Sequence, residues 1–393
     1  MTRHASLRWS ANDWGTSMSE WKQVKVGEIA VIFDGPHATP KKTDAGPWFL
    51  SISSLKQGRL DLSESAHLSG EDFRKWTRRV IPGEGDILFS YETRLGEAAL
   101  MSPGVQGCLG RRMGLLRPKV GKADSRFLLY AYLAPDFQEV IRQRSIHGAT
   151  VERIPLVDLP DWPIRIAPLP EQIAIGNLLG ALDDKIGVNE LVISNASTLL
   201  RAHFSAGMQG ITREVKLGDL IDLRYGKALR ETDRTPGKVP VFGGNGISGW
   251  HNIALAQGPG IIIGRKGANA GSVSWSQGPY WAIDTSFYVE PLSSRVPQEF
   301  LYFLLRSAGL RNLVGDSAIP GLNRDVALGR DVELPSNDFI LRFSAAAESL
   351  LALSAQIGDE SRALKELRDA LLPELVSGQI RVRDAVKVFE GVR

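Results

Sequence analysis

Cations beside aromatic rings and glycines are the residues here best placed to do chemistry. That chemistry is gripping phosphate and reading base edges. The first half of the chain carries Lys41, Lys42, Arg78, Arg79, Arg94, Arg111 and Arg112, with Trp76 close to Arg78 and Tyr91 close to Arg94. The second half carries Arg224, Tyr225, Lys227, Arg230, Arg234, Arg265, Lys266 and Arg324. Phosphate contact uses cations and backbone N–H groups, and glycine lets the backbone come close. Base edges in the major groove are read by Arg, Lys, Asn or Gln on rigid elements. Asn245 has such a side chain, in the glycine-rich run V-F-G-G-N-G-I-S-G-W over residues 241–250. So do Arg265 and Lys266, at the end of the apolar run 261–263. Any one of these residues serves equally well as solubilising surface. A cluster in each half favours DNA.

Motifs for catalysis are missing. Residues 264–272 lack the G-x-x-x-x-G-K-[ST] order of a nucleotide phosphate loop. No strand followed by G-x-G-x-x-G opens a dinucleotide fold. The Asn/Asp-Pro-Pro-aromatic loop of enzymes that methylate amino groups of DNA does not occur, and no histidine pair has the i,i+4 spacing of a metal site. Pro135-Asp136 and Pro160-Asp161 lack the Glu-x-Lys that would complete a nuclease site. Asp183 and Asp184 lie about 100° apart on a helix and read as a solvated face. Cys108 is the single cysteine, which excludes intrachain disulfides and thiolate cages and suits a reducing cytoplasm. The net charge of +3 alone does not signal nucleic acid, so the clustering carries the argument. No window approaches the ~18 consecutive apolar residues of a membrane span, and the start has no secretory apolar segment.

The elements that must position these cations follow a repeated plan. Residues 170–204 read as one helix with a heptad seam at Ile175, Leu179, Leu182, Ile186, Asn189, Ile193, Ala196, Leu200 and His203. Its expected partner carries a matching seam at Phe339, Phe343, Ala346, Leu350, Leu353, Ile357, Glu360, Leu364, Leu367 and Leu371. Asn189 and Glu360 are polar interruptions that lower stability but fix register. Proline and glycine after Leu372 are expected to end the second helix. The opening Val24-Lys25-Val26-Gly27-Glu28-Ile29 recurs in type as Val215-Lys216-Leu217-Gly218-Asp219-Leu220, and Phe127-Leu128 recurs as Phe300-Leu301. This is an internal duplication of a globular unit plus a long helix. A helix over 126–144 and a short buried strand at 87–90 complete the first unit. The expected divisions are a disordered arm at 1–20 (Met18 being a possible start), a first domain at 21–167 and a central helix at 168–208. A second domain at 209–334, a C-terminal helix at 335–383 and a tail at 384–393 follow. Each seam spans about 42–48 Å at ~1.5 Å per residue. That suits two recognition units on successive grooves of one DNA face, ~34–36 Å apart.

Together these stretches resemble the specificity subunit of type I restriction–modification systems. The resemblance is carried by P-L-P-E-Q-I-A-I with A-L-D-D-K-I and Asn189; by Y-G-K-A-L-R from Tyr225; and by P-V-F-G-G-N-G-I from Pro240. It continues in G-P-G-I-I-I-G-R-K-G from Gly258, W-A-I-D-T from Trp281 and L-L-P-E-L-V-S-G-Q-I-R-V from Leu371. Two departures stand out. The second helix has Asp338-Phe339 where the first has Glu-Gln, and the first unit has Tyr91-Glu92-Thr93-Arg94 where the second has Arg265-Lys266. The resemblance implies an α+β chain of two α/β target-recognition domains, a pseudo-two-fold repeat, joined by two long antiparallel helices. It implies double-stranded DNA as ligand, two modification subunits and the restriction subunits as partners, no catalysis by this chain and no membrane. S-adenosylmethionine, ATP and Mg²⁺ would sit on the partners. A stand-alone DNA methyltransferase or nuclease, or a helical adaptor that binds only proteins, stays open on the residues alone.

Overall fold

The computed structural model describes residues 21–36, 40–147, 151–210, 212–315 and 320–385. The arm at 1–20 and nearly all of the tail at 384–393 fall outside them. The chain forms two compact units, Met1–Ile186 with Ala363–Arg393, and Gly187–Arg362. The division cuts through both long helices, so each unit holds one head and half of a helix pair.

In the first unit, strand Lys22–Lys25 pairs antiparallel with Pro163–Ile166 just ahead of the central helix. A four-stranded sheet has the order Ala30–Asp34, Met113–Pro118, Ile87–Ser90, Ala98–Leu100. A three-stranded sheet has the order Ala66–Leu68, Lys42–Leu50, Gly107–Leu109, its last pair parallel. The second unit repeats this plan. Arg213–Lys216 pairs with Asp331–Leu334. The four-stranded order is Ile221–Tyr225, Ser286–Pro291, Gly260–Gly264, Val273–Ser276, and the three-stranded order Gly246–His251, Val239–Gly243, Trp281–Ala282 again ends in a parallel pair.

The same strand sits at the heart of each unit because both its faces are covered. Successive side chains of a strand point to opposite sides. Ile87 and Phe89 enter the core beneath the head's helices, while Leu88 enters a second core with Leu50, Leu109 and Leu115. Ile261 and Ile263 join Phe300, Leu301 and Leu304, while Ile262 joins Phe242 and Tyr280. A strand buried twice over reads as a continuous apolar run, the pattern of Ile261–Ile262–Ile263.

Three expectations about helices are corrected. The single helix over 126–144 is two, Ser125–Leu133 and Pro135–Arg144, with Ala134 extended between them (φ −66°, ψ 149°). Pro135 bars its predecessor from helical geometry. The C-terminal helix, Asn337–Ser377, runs through Pro373 and ends before Gly378, whose φ is +76°. By length and composition this helix could cross a bilayer, yet Ile340, Phe343 and Ala347 are fully buried in the second unit's core. Third, one line of its seam is displaced by a residue. Phe343, Leu350, Ile357, Leu364 and Leu371 keep their line at full or half burial, but Leu353 is 43% exposed. The second line is instead Ile340, Ala347, Ser354, Ser361, Arg368 and Leu375. It holds small or polar residues whose needs are met locally: Ser354 Oγ donates to Leu350 O at 2.7 Å.

The central helix, Leu169–Gly207, buries Ile175, Leu179, Ile186, Asn189, Ala196 and Leu200, with Leu182 and Ile193 half buried. His203 is exposed, and Phe204 takes the apolar role against Phe300 and Phe343. Within the second unit the helices are antiparallel: Asn189 Nδ2 donates to Glu360 Oε2 at 2.9 Å and Ser361 Oγ at 3.1 Å, while His203 packs on Phe343. In the first unit Asp183, expected on a solvated face, is buried and paired with Arg368 at 2.6 Å. Only Asp184 behaves as expected, exposed and paired with Arg126.

Candidate nucleic-acid interface

In the second unit the buried strand Gly260–Gly264 delivers Arg265 and Lys266 to one end of the sheet. Their backbone N–H groups both donate to Thr285 O, at 2.8 and 3.2 Å. The Arg265 guanidinium lies over the Tyr225 ring at 5.2 Å and the Phe287 ring at 5.9 Å. Such faces hold a cation in place without neutralising it. Arg265 Nε is buried and has no hydrogen-bond partner among the described residues. Tyr225 is 57% exposed, and Lys266 is exposed beside it in the chain's repeated strand end. Asn245 is exposed on the turn after Gly243 and accepts from Asn269 Nδ2. Gly226 follows Tyr225 because a Cβ there would meet Ile283 O at 2.1 Å. Lys227 and Arg230 are exposed.

Three further candidate cations of this unit have partners within it. Arg224 pairs with Glu290 at 2.6 Å. Arg324 pairs with Asp222 and donates from Nε to Leu223 O at 2.9 Å. Arg234 Nη1 donates to Ser248 O at 2.7 Å, which braces the glycine-rich hairpin.

The first unit uses the same scaffold differently. Tyr91 leaves the equivalent strand end but is only 5% exposed. Burial first, then the nearby Asp34 carboxylate, hold its hydroxyl well above the usual phenol range. Arg94 is spent on structure: its Nη groups donate to Ile52 O and Leu55 O at 3.3 Å, and Nη2 pairs with Glu97 at 2.8 Å. Arg112 pairs with Glu92 at 2.9 Å. Arg94 and Arg112, like Arg224 and Arg324, therefore have partners that the sequence reading did not foresee, and Tyr91 is buried rather than presented. Lys41, Lys42, Arg78, Arg79 and Arg111 are exposed and make no ion pair among the described residues.

Sequence reasoning missed two polar anchors. Gln172 is 1% exposed; its Oε1 accepts from Asp124 N at 3.0 Å and its Nε2 donates to Ala167 O at 2.8 Å. It therefore pins the start of the central helix to the head. By burial, Gln172, Ile175 and Leu179 correspond to Ile340, Phe343 and Ala347, so Ile340 rather than Phe339 stands in its place. The second anchor is Asp183, which takes Arg368 on one oxygen and the Tyr130 hydroxyl on the other, at 2.6 Å each. Its spacing of four from Leu179 was the available signal.

Two copies of one mixed sheet-and-helix plan, with cations, amides and glycines at the strand ends, make up a duplicated α+β chain. Residues 18–196 match the family described as the type I restriction modification DNA specificity domain. It is 23% identical over 363 residues to the type I restriction enzyme EcoprrI specificity subunit of Escherichia coli, across 82% of this chain and 86% of that one. A putative type I restriction enzyme MjaX specificity subunit of Methanocaldococcus jannaschii is 27% identical over 184 residues, 44% of this chain and 42% of its own. In fold the chain resembles the S subunit of a type I restriction–modification system from M. genitalium, with a TM-score of 0.65 and 19% identity over 90% of this chain and 96% of the other.

Proposed function

We propose that this chain is the DNA sequence-specificity subunit of a type I restriction–modification complex. Its two recognition units read the two halves of a bipartite, asymmetric target, and a helical connection sets the unread gap. The observation that carries this reading is a pair of heads with one strand order and different residues at the equivalent strand ends. One scaffold with two reading surfaces is what an asymmetric target requires. The chain itself performs no chemistry. S-adenosylmethionine, ATP and Mg²⁺ belong to two modification subunits and to the restriction subunits, which dock on it. Val188, Leu191, Val192 and Leu199, exposed on the central helix at helical spacing, supply apolar surface for that docking.

The test is Arg265→Ala in the assembled complex. Binding to duplexes randomised at both half-sites should lose discrimination at one half only, by roughly 1–3 kcal/mol for a lost bidentate base contact. Unchanged affinity and preference at both halves would remove the assignment.

A further inference from the structure

The two heads carry their free cation on opposite sides of the same pair of strand ends, and we infer that Arg111 is the base-reading residue of the first unit. This deepens, and rests on, the DNA-reading function proposed above. Four backbone features align the heads residue by residue. Ser90 pairs with Met113 in the first sheet, and Gly264 with Ser286 in the second. The next residue donates to the opposite strand in each case, Tyr91 N to Arg112 O and Arg265 N to Thr285 O, at 3.1 and 2.8 Å. The opposing turn closes in the same way, Met113 N to Gly110 O and Ser286 N to Ile283 O, at 3.3 and 2.9 Å. That turn is tied to the smaller sheet by Gly110 N to Leu50 O and by Ile283 N to Phe242 O, at 2.6 and 2.9 Å. Tyr91-Glu92 therefore stand where Arg265-Lys266 stand, and Arg111-Arg112 where Asp284-Thr285 stand.

The charge is transposed across the strand pair. In the second unit the strand end is cationic and the exposed turn tip is Asp284. In the first unit the strand end is a buried tyrosine and an acid, and the turn tip holds two arginines. Glu92 neutralises Arg112 at 2.9 Å, and Thr93 Oγ1 accepts from Arg112 Nη1 at 3.3 Å. Of the four positions, that leaves Arg111 exposed and without an ion pair among the described residues. It sits on a turn held at both ends by backbone hydrogen bonds, the rigid mounting that a bidentate guanidinium needs. With Glu92 and Arg112 neutralising each other, Arg111 carries the net charge of this sheet end, and guanine O6/N7 is the edge that a bidentate guanidinium fits.

The experiment uses the complete complex with Arg111→Ala, Arg111→Asp (the second unit's residue at that position) and Arg265→Ala. Each is scored on duplexes randomised at both half-sites and by the adenines methylated in a host genome. Arg111→Ala should relax preference roughly 5- to 100-fold at a position in the half-site that Arg265→Ala leaves intact, and Arg111→Asp should abolish reading of that half. The inference is overturned if Arg111→Ala keeps the parent preference while Arg265→Ala relaxes its own half-site. It is also overturned if Arg111→Ala weakens all sequences uniformly, as a phosphate contact would. A parent complex without sequence preference would instead bring down the DNA-reading function itself.

Discussion

Asp183, Arg368 and Tyr130 show most clearly what one side chain contributes here. The two charged side chains are 9% and 11% exposed, so their ion pair is a buried one. Its counterparts in the second unit are apolar. Tyr130 corresponds to Phe303 by the offset that relates Phe127 to Phe300, and Asp183 and Arg368 correspond to Leu351 and Leu200 by the helix offset. Removing one partner of a buried pair strands the other charge, so Asp183→Leu or Arg368→Leu should each cost about 3–5 kcal/mol. Tyr130→Phe, Asp183→Leu and Arg368→Leu together should recover most of that, since the second unit already uses this combination. Denaturant midpoints of the four proteins decide it, and a triple variant no better than the singles would refute the account. Cys108 gives a second residue-scale expectation. Burial pushes its thiol up to about 12, so alkylation near pH 8 should proceed only at the rate of unfolding; rapid labelling of the native chain would contradict this. Types such as Arg265 and Asn245 could be chosen from sequence, because rigid-strand context is local. The fates of Arg94 and Arg324 could not, because their partners Leu55 and Asp222 lie 39 and 102 residues away.

At the scale of elements, the strands were legible and the seam only in part. A heptad reading selects apolar residues, and it found the line through Phe343, Leu350 and Leu371. It passed over the line through Ala347, Ser354 and Ser361, because small and hydroxylic residues carry no hydropathy signal yet let helices approach closely. Helix Gln298–Ser307 raises a matter of pH. Its Glu299 carboxyl is raised above the ordinary glutamate value, by burial first and by Glu348 besides. A raised folded pKa favours the folded state where the group is protonated in both states. That contribution is complete below the unfolded value of ~4.3 and is lost as pH rises through the folded value. Glu299→Gln should therefore stabilise the chain at pH 7 and have little effect near pH 4. A denaturant midpoint difference that failed to grow with pH would count against it.

For the whole molecule, the proposed function makes the helical connection the measure of the gap between half-sites. Deleting one heptad from each long helix keeps the packed faces in phase and removes about 10 Å at ~1.5 Å per residue. At ~3.4 Å per base pair the methylated target should shorten by about three base pairs while both half-sites stay the same. An unchanged gap would refute the helical measure. The duplication was readable because the openers at Val24 and Val215 and the phenylalanine-leucine pairs are local patterns repeated intact. Sequence alone thus determined the repeat, the two long helices, the absence of familiar catalytic motifs and the candidate readers, since these depend on residue type and period. The tertiary structure decided which cations remain free, that Asp183 is buried, and that the charge at the strand ends is transposed between the heads. Those outcomes depend on which distant groups the sheets bring within a few ångströms, and pairing across that separation leaves no trace in local spacing.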